Sequence, residues 1–596
     1  MTTGWPDPDG PPSPVPDGPP SPVPDATGTA PPIPPPDDDR TIPPALASDD
    51  DRPPWRGSRV RMVAHRSDTV VPRRGAVAVP CLAAGIGLAL SLPPWGFWIL
   101  AFPAAGLLWW RLGGLRPRTR LWAGWLAGLG CYVPGLMFAR AFTLLGAAVL
   151  IAVEALFVGV ACLAVPRGPV WARALAFPAA MTLAEAARQT WPFGGLPIGG
   201  VFLGQAGGPL LGTARLGGPL ALTAVVYTGG VGAGALATAV VRAGRDRRRI
   251  RAFRRHDDGP ATTSSWRGAL AGLGSTGAVA AVALAAVLGT GVAGALAPDG
   301  GPSVGTVTAA AVQGGGVRGF SKSQVDPAVV LAAAVAATDE LARRTAGRSL
   351  ALVLWPEDVV SLDGPLDGSP AESVLSGLAR RLGSTLVVGV TETTSATAFR
   401  NEIVAFGPDG TVVSRYEKVH RVPFGEYVPY RSFFAHLGNL SAVPRDAVPG
   451  TGSGLLTTPA GPLGAMISYE VFYADRGRAS VRAGAQLLIV PTNTSSYATG
   501  QIPTQEIAAS RVQAVQQGRD LLQAAPTGFS AWITHRGALV ARSTLGVRQI
   551  VPAVLQRRTG RTLYVRFGDA PVLLASIVAL AAGWWLAVRA RSRRYS

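Results

Sequence analysis

The sequence GAMISYE, residues 464–470, ends an apolar, strand-like run at Ser468. Two segments before it in the chain carry charged groups: WPE at residues 355–357 ends another apolar run in Glu357, and KVHRVPFGEYVP at residues 418–429 begins with a lysine. Acyl transfer through a covalent intermediate needs a nucleophile, a base that takes its proton and a donor for the oxyanion. A serine, a glutamate and a lysine in one region therefore predict an acyl-transfer site.

Each of these three residues also has an ordinary structural explanation. The proline before Glu357 ends the strand and leaves the carboxylate at the end of the strand, where functional sites form. A glutamate at such a position can equally cap a neighbouring element or form an ion pair with a cation. Lys418 would otherwise be a solvated lysine between a strand and a loop, and Ser468 a buried hydroxyl. Only their combination in one domain points to catalysis.

The region after residue 300 alternates apolar, β-rich runs with helical patterns, which is typical of an α/β domain with buried strands. The predicted strands are 304–312, 350–355, 385–390, 402–406, 463–467 and 486–491. The predicted helices are 327–345, 371–382 and 505–519.

The rest of the chain has the composition of a membrane protein. Only 15% of the 596 residues are charged, and mean hydropathy is positive. Apolar windows, most of them long enough to cross about 30 Å of hydrocarbon, predict a polytopic helical bundle of about eight spans. The windows are 76–93, 96–112, 121–138, 142–165, 171–187, 216–241, 268–296 and 571–588.

Arginine clusters mark every second connection between these windows, and such clusters stay on the cytoplasmic side of a membrane. We therefore expect a multi-pass protein of the cell (plasma) membrane with both termini cytoplasmic and one large extracytoplasmic domain. The predicted divisions are a disordered Pro/Asp-rich tail (1–57), spans one to seven (76–296), the α/β domain (297–569), and an eighth span with a basic end (570–596).

The net charge of +19 does not indicate nucleic-acid binding, because the arginines lie beside apolar windows and form no basic groove interleaved with aromatic residues. All three cysteines lie inside apolar windows. The α/β region thus has no cysteine for a disulfide, a metal site or a nucleophile, and we expect no cofactor and no metal.

These segments together resemble the nitrilase superfamily, and most closely its membrane-embedded branch, the apolipoprotein N-acyltransferases. The most specific match is the lysine loop at 418–429. It is supported by WPFGGLP at 191–197, by PPWGFW at 93–98 and by the Asn401 strand start. The resemblance covers the chain from about residue 76 to its end.

This resemblance implies an extracytoplasmic α-β-β-α sandwich and a role for each matched residue. Glu357 would be the general base, Lys418 the oxyanion-stabilising cation and Ser468 the nucleophile. The supporting residues would be Glu426, Tyr469, Glu470 and Asn401. The implied reaction moves an acyl chain from a phospholipid to the N-terminal diacylglyceryl-cysteine of a lipoprotein through an acyl-enzyme.

The sequence departs from this family at three places. The family's nucleophile is a cysteine, which a serine replaces here. Gln513 and Gln516 stand where an arginine and a glutamate are expected, and the loop 492–497 lacks the usual Asp-Ala-Trp. The alternative is therefore a catalytically silent paralogue that binds lipid or lipoprotein, or that scaffolds a membrane protein partner. An ordinary nitrilase or amidase acting on small nitrogen compounds is a third possibility. Eight membrane spans argue against it, because such an enzyme has little use for them.

Overall fold

The computed structural model describes residues 74–141, 144–254, 274–316, 325–345, 350–436, 440–441, 443–497 and 501–593. The predicted tail, 1–57, lies outside the described residues.

A helix occupies each of the eight predicted apolar windows. The first seven are α1 (Arg74–Ser91), α2 (Ala101–Arg111), α3 (Pro117–Gly135), α4 (Leu144–Ala164), α5 (Val170–Arg188), α7 (Ala214–Arg254, broken at Gly217 and Gly218) and α8 (Gly274–Leu296); a single turn, α6 (Val201–Gly204), precedes α7. The last is α15 (Ala570–Ser592).

Four of these helices are long and apolar enough to cross a membrane: α4, α8, α15 and the segment Leu211–Arg245, which contains most of α7. The chain therefore has the helices of a membrane protein. By contrast, α2 has 11 residues and is only about 16 Å long, about half of a hydrocarbon core. The number of eight crossings stays a prediction.

Small residues set the distance between α3 and its neighbours. A Cβ atom on Gly128 would lie 2.6 Å from the Cα of Ala155 in α4, and one on Gly130 would lie 2.5 Å from the carbonyl oxygen of Leu82 in α1. Close approach of backbones at small residues is the usual way in which membrane helices pack. Glycine at these positions is therefore a packing requirement.

The region from Gly305 to Arg557 forms two sheets. The first has the strand order β14-β1-β2-β4-β5-β6, with β3 paired to β4 and β7 paired to β5; the second has the order β13-β12-β11-β10-β9-β8. The strands are β1 (Gly305–Gln313), β2 (Leu352–Leu354), β3 (Val360–Leu362), β4 (Thr385–Thr393), β5 (Ala398–Phe406), β6 (Val412–Glu417), β7 (Asp446–Ala447), β8 (Leu455–Thr458), β9 (Gly461–Ala465), β10 (Leu487–Pro491), β11 (Leu521–Ala524), β12 (Ala531–Ile533), β13 (Leu539–Arg542) and β14 (Gln549–Arg557).

The two sheets face each other across one apolar core that contains Leu352 and Leu354 from the first sheet and Leu487 and Ile489 from the second. Helices cover both outer faces. The helices of this domain are α9 (Pro327–Arg344), α10 (Pro370–Leu382), α11 (Arg431–Ala435), α12 (Ala474–Ala483), α13 (Ile502–Gln517) and α14 (Leu563–Phe567). α9 and α10 pack on the first sheet, and α13 packs on the second. The predicted α/β nitrilase-like domain is confirmed.

We expect Gly128→Ala to destabilise the bundle, because the added methyl group meets backbone atoms of α4 that move only if the two helices separate. Overpacking of this kind costs roughly 1–3 kcal/mol. Gly289→Ala in α8 is the matched control, since a Cβ there has nothing within 4 Å. Thermal unfolding in detergent micelles should show a lower midpoint for Gly128→Ala only; equal midpoints for both variants would contradict the packing argument.

Candidate functional site

Ser468 lies at a sharp turn just beyond β9. The strand ends at Ala465, and the one-turn 3₁₀ helix Ser468–Phe472 follows at once. The φ angle of Ser468 is +50°, in the left-handed region that residues other than glycine rarely adopt. Such strained residues cluster at functional sites, where the surrounding structure holds them. The serine is partly buried.

The carboxylate of Glu470 joins this turn to the lysine loop. It accepts hydrogen bonds from the backbone N–H of Ile467 (2.9 Å), before the serine, and from those of Val419 (2.8 Å) and His420 (3.0 Å), after Lys418. The hydroxyl of Tyr416 donates to the same carboxylate at 2.9 Å. Because Glu470 is fully buried, these donors are what keeps its charge stable there.

Lys418 is held between two carboxylates. Its Nζ lies 2.8 Å from Oε1 of Glu357 and 2.7 Å from Oε1 of Glu426. The amide of Asn401 donates to both of these oxygens at 2.9 Å. The structure thus brings together four residues that the sequence analysis singled out.

Charge and burial act in opposite directions on the groups of this cluster. Burial alone would lower the pKa of Lys418, but the carboxylates of Glu357 and Glu426 outweigh it and hold that pKa well above its usual value. Burial raises the pKa of Glu357, and the Lys418 ammonium opposes that rise. Lys418 therefore stays protonated at neutral pH, as an oxyanion donor must.

A second buried polar chain reaches Ser468 from the other side. The hydroxyl oxygen of Thr492, at the end of β10, lies 3.2 Å from the Ser468 Oγ and is also hydrogen-bonded to Oε1 of Glu506 in α13. Nε2 of Gln523 lies 3.4 Å from the other oxygen of Glu506. Both Thr492 and Glu506 are fully buried.

Burial raises the pKa of Glu506 to about 8. The nearby negative charge of Glu357 adds to this rise, whereas the hydrogen bond from Thr492 and the charge of Lys418 oppose it. Glu506 is therefore an acid that changes its charge close to physiological pH.

The two glutamines that depart from the family pattern hydrogen-bond to each other. Gln513 Nε2 donates to the carbonyl oxygens of Val471 and Tyr473, both at 2.9 Å, and so supports the turn that follows Ser468. Its Oε1 accepts from Gln516 Nε2 at 2.8 Å. An uncharged pair thus occupies the positions where the resemblance implies an arginine and a glutamate.

The membrane bundle supports this site through the loop 191–197. The carbonyl oxygen of Gly195 accepts hydrogen bonds from the hydroxyls of Tyr469 (3.0 Å) and Tyr473 (2.8 Å). Arg188, at the end of α5, holds the far side of the loop through the carbonyl oxygens of Leu196 and Ile198. A cleft of about 220 Å³ lies between this loop and the lysine loop, lined by Phe193, Gly194, Val419, His420, Arg421, Tyr427 and Tyr473.

The helix that carries Glu506 also contacts the bundle. The Oε1 of Gln505 accepts from the backbone N–H of Gly199 at 3.0 Å, and its Nε2 donates to the carbonyl oxygen of Gly135 at 3.1 Å. The first turn of α13 is therefore fixed by the loops at one end of the bundle.

Thr492 and Glu506 are site residues that were not predicted from the sequence. Thr492 was noted only as part of a loop that departs from the family pattern. Glu506 did carry a signal: it is the only charged residue among the first six of the predicted helix 505–519, which is otherwise apolar or neutral there.

Comparison with known proteins agrees with this architecture. The family model described as apolipoprotein N-acyltransferase N-terminal domain matches residues 84–232, and that described as carbon-nitrogen hydrolase matches residues 308–563. The apolipoprotein N-acyltransferase of Mycolicibacterium smegmatis is 30% identical, over 83% of this chain and 82% of that protein.

Other matches cover less. The apolipoprotein N-acyltransferase of Geobacter metallireducens is 31% identical, but the aligned part spans 37% of this chain and 42% of that relative. A solved structure of a Saccharomyces cerevisiae member of the nitrilase superfamily has 21% identity and a TM-score of 0.33, over 43% of this chain and 91% of its own.

The raised pKa of Glu506 predicts a pH-dependent stability difference. Because the folded pKa (about 8) exceeds the ordinary value of 4.5, the folded protein keeps a proton that the unfolded chain releases. Wild-type stability therefore falls as pH rises from about 4.5 to about 8, and Glu506→Gln removes this loss. The unfolding midpoint of Glu506→Gln should rise relative to wild type between pH 5 and 8.

Ser468→Ala, which removes no charge, is the control and should differ from wild type by the same amount at each pH. A constant difference for Glu506→Gln as well would mean that Glu506 does not titrate in this range.

Proposed function

This chain belongs to the apolipoprotein N-acyltransferase family, and we propose that it transfers an acyl chain from a phospholipid to the N-terminal diacylglyceryl-cysteine of lipoproteins. The observation that carries this proposal is the buried Lys418, paired with Glu357 and Glu426 and joined through Glu470 to the strained turn at Ser468. A nucleophilic hydroxyl, a carboxylate base and a buried ammonium are the groups that acyl transfer through a covalent intermediate requires.

We assign the roles as follows. Ser468 Oγ attacks the ester carbonyl of the phospholipid, Glu357 is the general base, and the Lys418 ammonium stabilises the negative charge on the carbonyl oxygen. The lysophospholipid leaves, and Ser468 holds the acyl chain as an ester. The amine of the diacylglyceryl-cysteine then attacks this ester, and Glu357 takes the amine proton. The amide forms as the bond to Ser468 Oγ breaks, and the proton passes from Glu357 to the departing Ser468 Oγ.

Four neighbouring residues position this machinery. Asn401 and Glu426 fix Lys418 and Glu357, Glu470 sets the distance between the two loops, and Tyr469 binds the bundle loop through Gly195. Their contacts support these positioning roles.

We further propose that the protein lies in the cell membrane with both termini cytoplasmic and the α/β domain extracytoplasmic. Both substrates are lipid-anchored, so a site that rests on a membrane bundle has access to both of them. The arginine clusters beside the apolar helices support this orientation. A membrane protein partner stays a prediction.

Variants of the three central residues test the proposal. Purified protein in micelles should acylate a synthetic diacylglyceryl-cysteine peptide with phospholipid as donor, which mass spectrometry of the peptide detects. Ser468→Ala should abolish the transfer, and Lys418→Met should slow it at least about 100-fold, because an oxyanion donor is lost. Ser468→Cys should raise the rate, since a thiol ionises near pH 8.5 and a hydroxyl does not.

Ser373→Ala, an exposed serine in α10, is the matched control and should keep the wild-type rate. No transfer by wild type at any pH, with transfer restored by Ser468→Cys, would identify the protein as the silent paralogue. Transfer that survives Ser468→Ala would contradict the assigned nucleophile.

A further inference from the structure

The hydroxyl of Ser468 contacts a different group from the one that the family mechanism assigns to it. Among the described residues, its side chain makes one hydrogen bond, which it accepts from the hydroxyl of Thr492 at 3.2 Å. Oε1 of Glu357 already accepts hydrogen bonds from Lys418 and Asn401. Thr492 is therefore the hydrogen-bonding neighbour through which the proton of Ser468 can leave.

The direction of this path follows from the chemistry of the three groups. An ionised carboxylate only accepts hydrogen bonds, and a hydroxyl donates one proton while accepting on its lone pairs. The Thr492 hydroxyl lies where it can donate to Ser468 Oγ or to Glu506 Oε1, but it has only one proton. When Glu506 is ionised, Thr492 donates to Glu506, and its lone pairs are then free to accept the proton of Ser468. The chain runs from hydroxyl to hydroxyl to carboxylate.

We propose that Glu506, acting through Thr492, accepts the proton of Ser468 when the serine attacks the acyl donor. This proposal rests on the proposed function and assigns the first deprotonation to a second carboxylate. Glu357 remains the base that serves the attacking amine in the second half of the reaction.

The proton balance closes within the site. As the bond from Ser468 Oγ to the carbonyl carbon forms, the serine proton moves to Thr492, and the Thr492 proton moves to Glu506. When the carbon–oxygen bond to the lysophospholipid breaks, Thr492 gives a proton to the departing alkoxide and regains one from Glu506. Glu506 is then ionised again, with no outside reactant.

The surroundings of Glu506 suit a base for a weakly acidic hydroxyl. It is fully buried, and the charged or polar groups that face it are Lys418, Glu357, Thr492 and Gln523. Its pKa is raised to about 8, so it accepts a proton more readily than an ordinary carboxylate does. A cysteine at position 468 would need this help less, because a thiol ionises far more easily.

The reactivity of Ser468 can be measured without the natural substrates. A fluorophosphonate probe phosphonylates an activated serine: the Oγ–P bond forms, fluoride leaves, and the base takes the serine proton. We expect Thr492→Val and Glu506→Gln each to slow the labelling of Ser468 about 100-fold, within the range that general-base catalysis contributes. Ser468→Ala lacks the reacting hydroxyl and gives the background labelling.

The double variant separates a relay from two unrelated defects. If both residues act in one path, Thr492→Val combined with Glu506→Gln should be no slower than either single variant. Thr492→Ser, which keeps the hydroxyl, should restore labelling to within a few-fold of wild type. Labelling by wild type should also rise with pH through about 8, and this rise should be absent in Glu506→Gln.

Glu402→Gln is the matched control, because Glu402 is another buried carboxylate of the same domain that pairs with Arg415. It should label at the wild-type rate. The relay would be overturned if the fold-decreases in labelling rate of the two single variants multiplied in the double variant. It would also be overturned if Thr492→Ser slowed labelling as much as Thr492→Val does.

These results also separate the relay from the proposed function. Labelling that depends on Thr492 and Glu506, without any acylation of a lipopeptide, would retain the relay and reject the acyltransferase. Lipopeptide acylation that Glu506→Gln leaves unchanged would retain the acyltransferase and reject the relay.

Discussion

One buried carboxylate, that of Glu470, holds the site together. It accepts backbone N–H groups from the turn at Ser468 and from the loop after Lys418, and so fixes a nucleophile position on one sheet relative to a cation on the other. Removing a buried acceptor with several donors leaves each donor unpaired, at about 1–3 kcal/mol each. The geometry of both loops depends on this residue more than on any of the reacting groups.

The membrane bundle is the second constraint on the site, because it contacts the turn that follows Ser468. Gly195 accepts hydrogen bonds from Tyr469 and Tyr473, while Gln505 fixes the start of the helix that carries Glu506. The groups around Ser468 are thus positioned partly by residues about 270 to 310 positions earlier in the chain. This coupling places the site at one end of the apolar bundle, where the lipid-anchored substrates of the proposed reaction would arrive.

The sequence was sufficient for the sandwich and for the Glu357–Lys418–Glu426–Asn401 cluster, because apolar strand runs and an unusual lysine loop are local signals. It was not sufficient for Thr492 and Glu506, which meet only when β10 and α13 pack together. From the sequence, Gln513 and Gln516 are departures from the family pattern that favour a catalytically silent paralogue as the alternative. In the structure, Gln513 and Gln516 hydrogen-bond to each other, and Gln513 also bonds to the turn after Ser468, which neither position alone indicates.

The central claim is that the serine still forms the covalent intermediate. Mass spectrometry of the protein after incubation with phospholipid vesicles, followed by proteolysis, tests it directly. The peptide containing Ser468 should gain the mass of one acyl chain, held as an oxygen ester that resists neutral hydroxylamine, and the gain should disappear when a diacylglyceryl-cysteine peptide is added. No acyl group on that peptide, or an acyl group on another residue, would contradict the account.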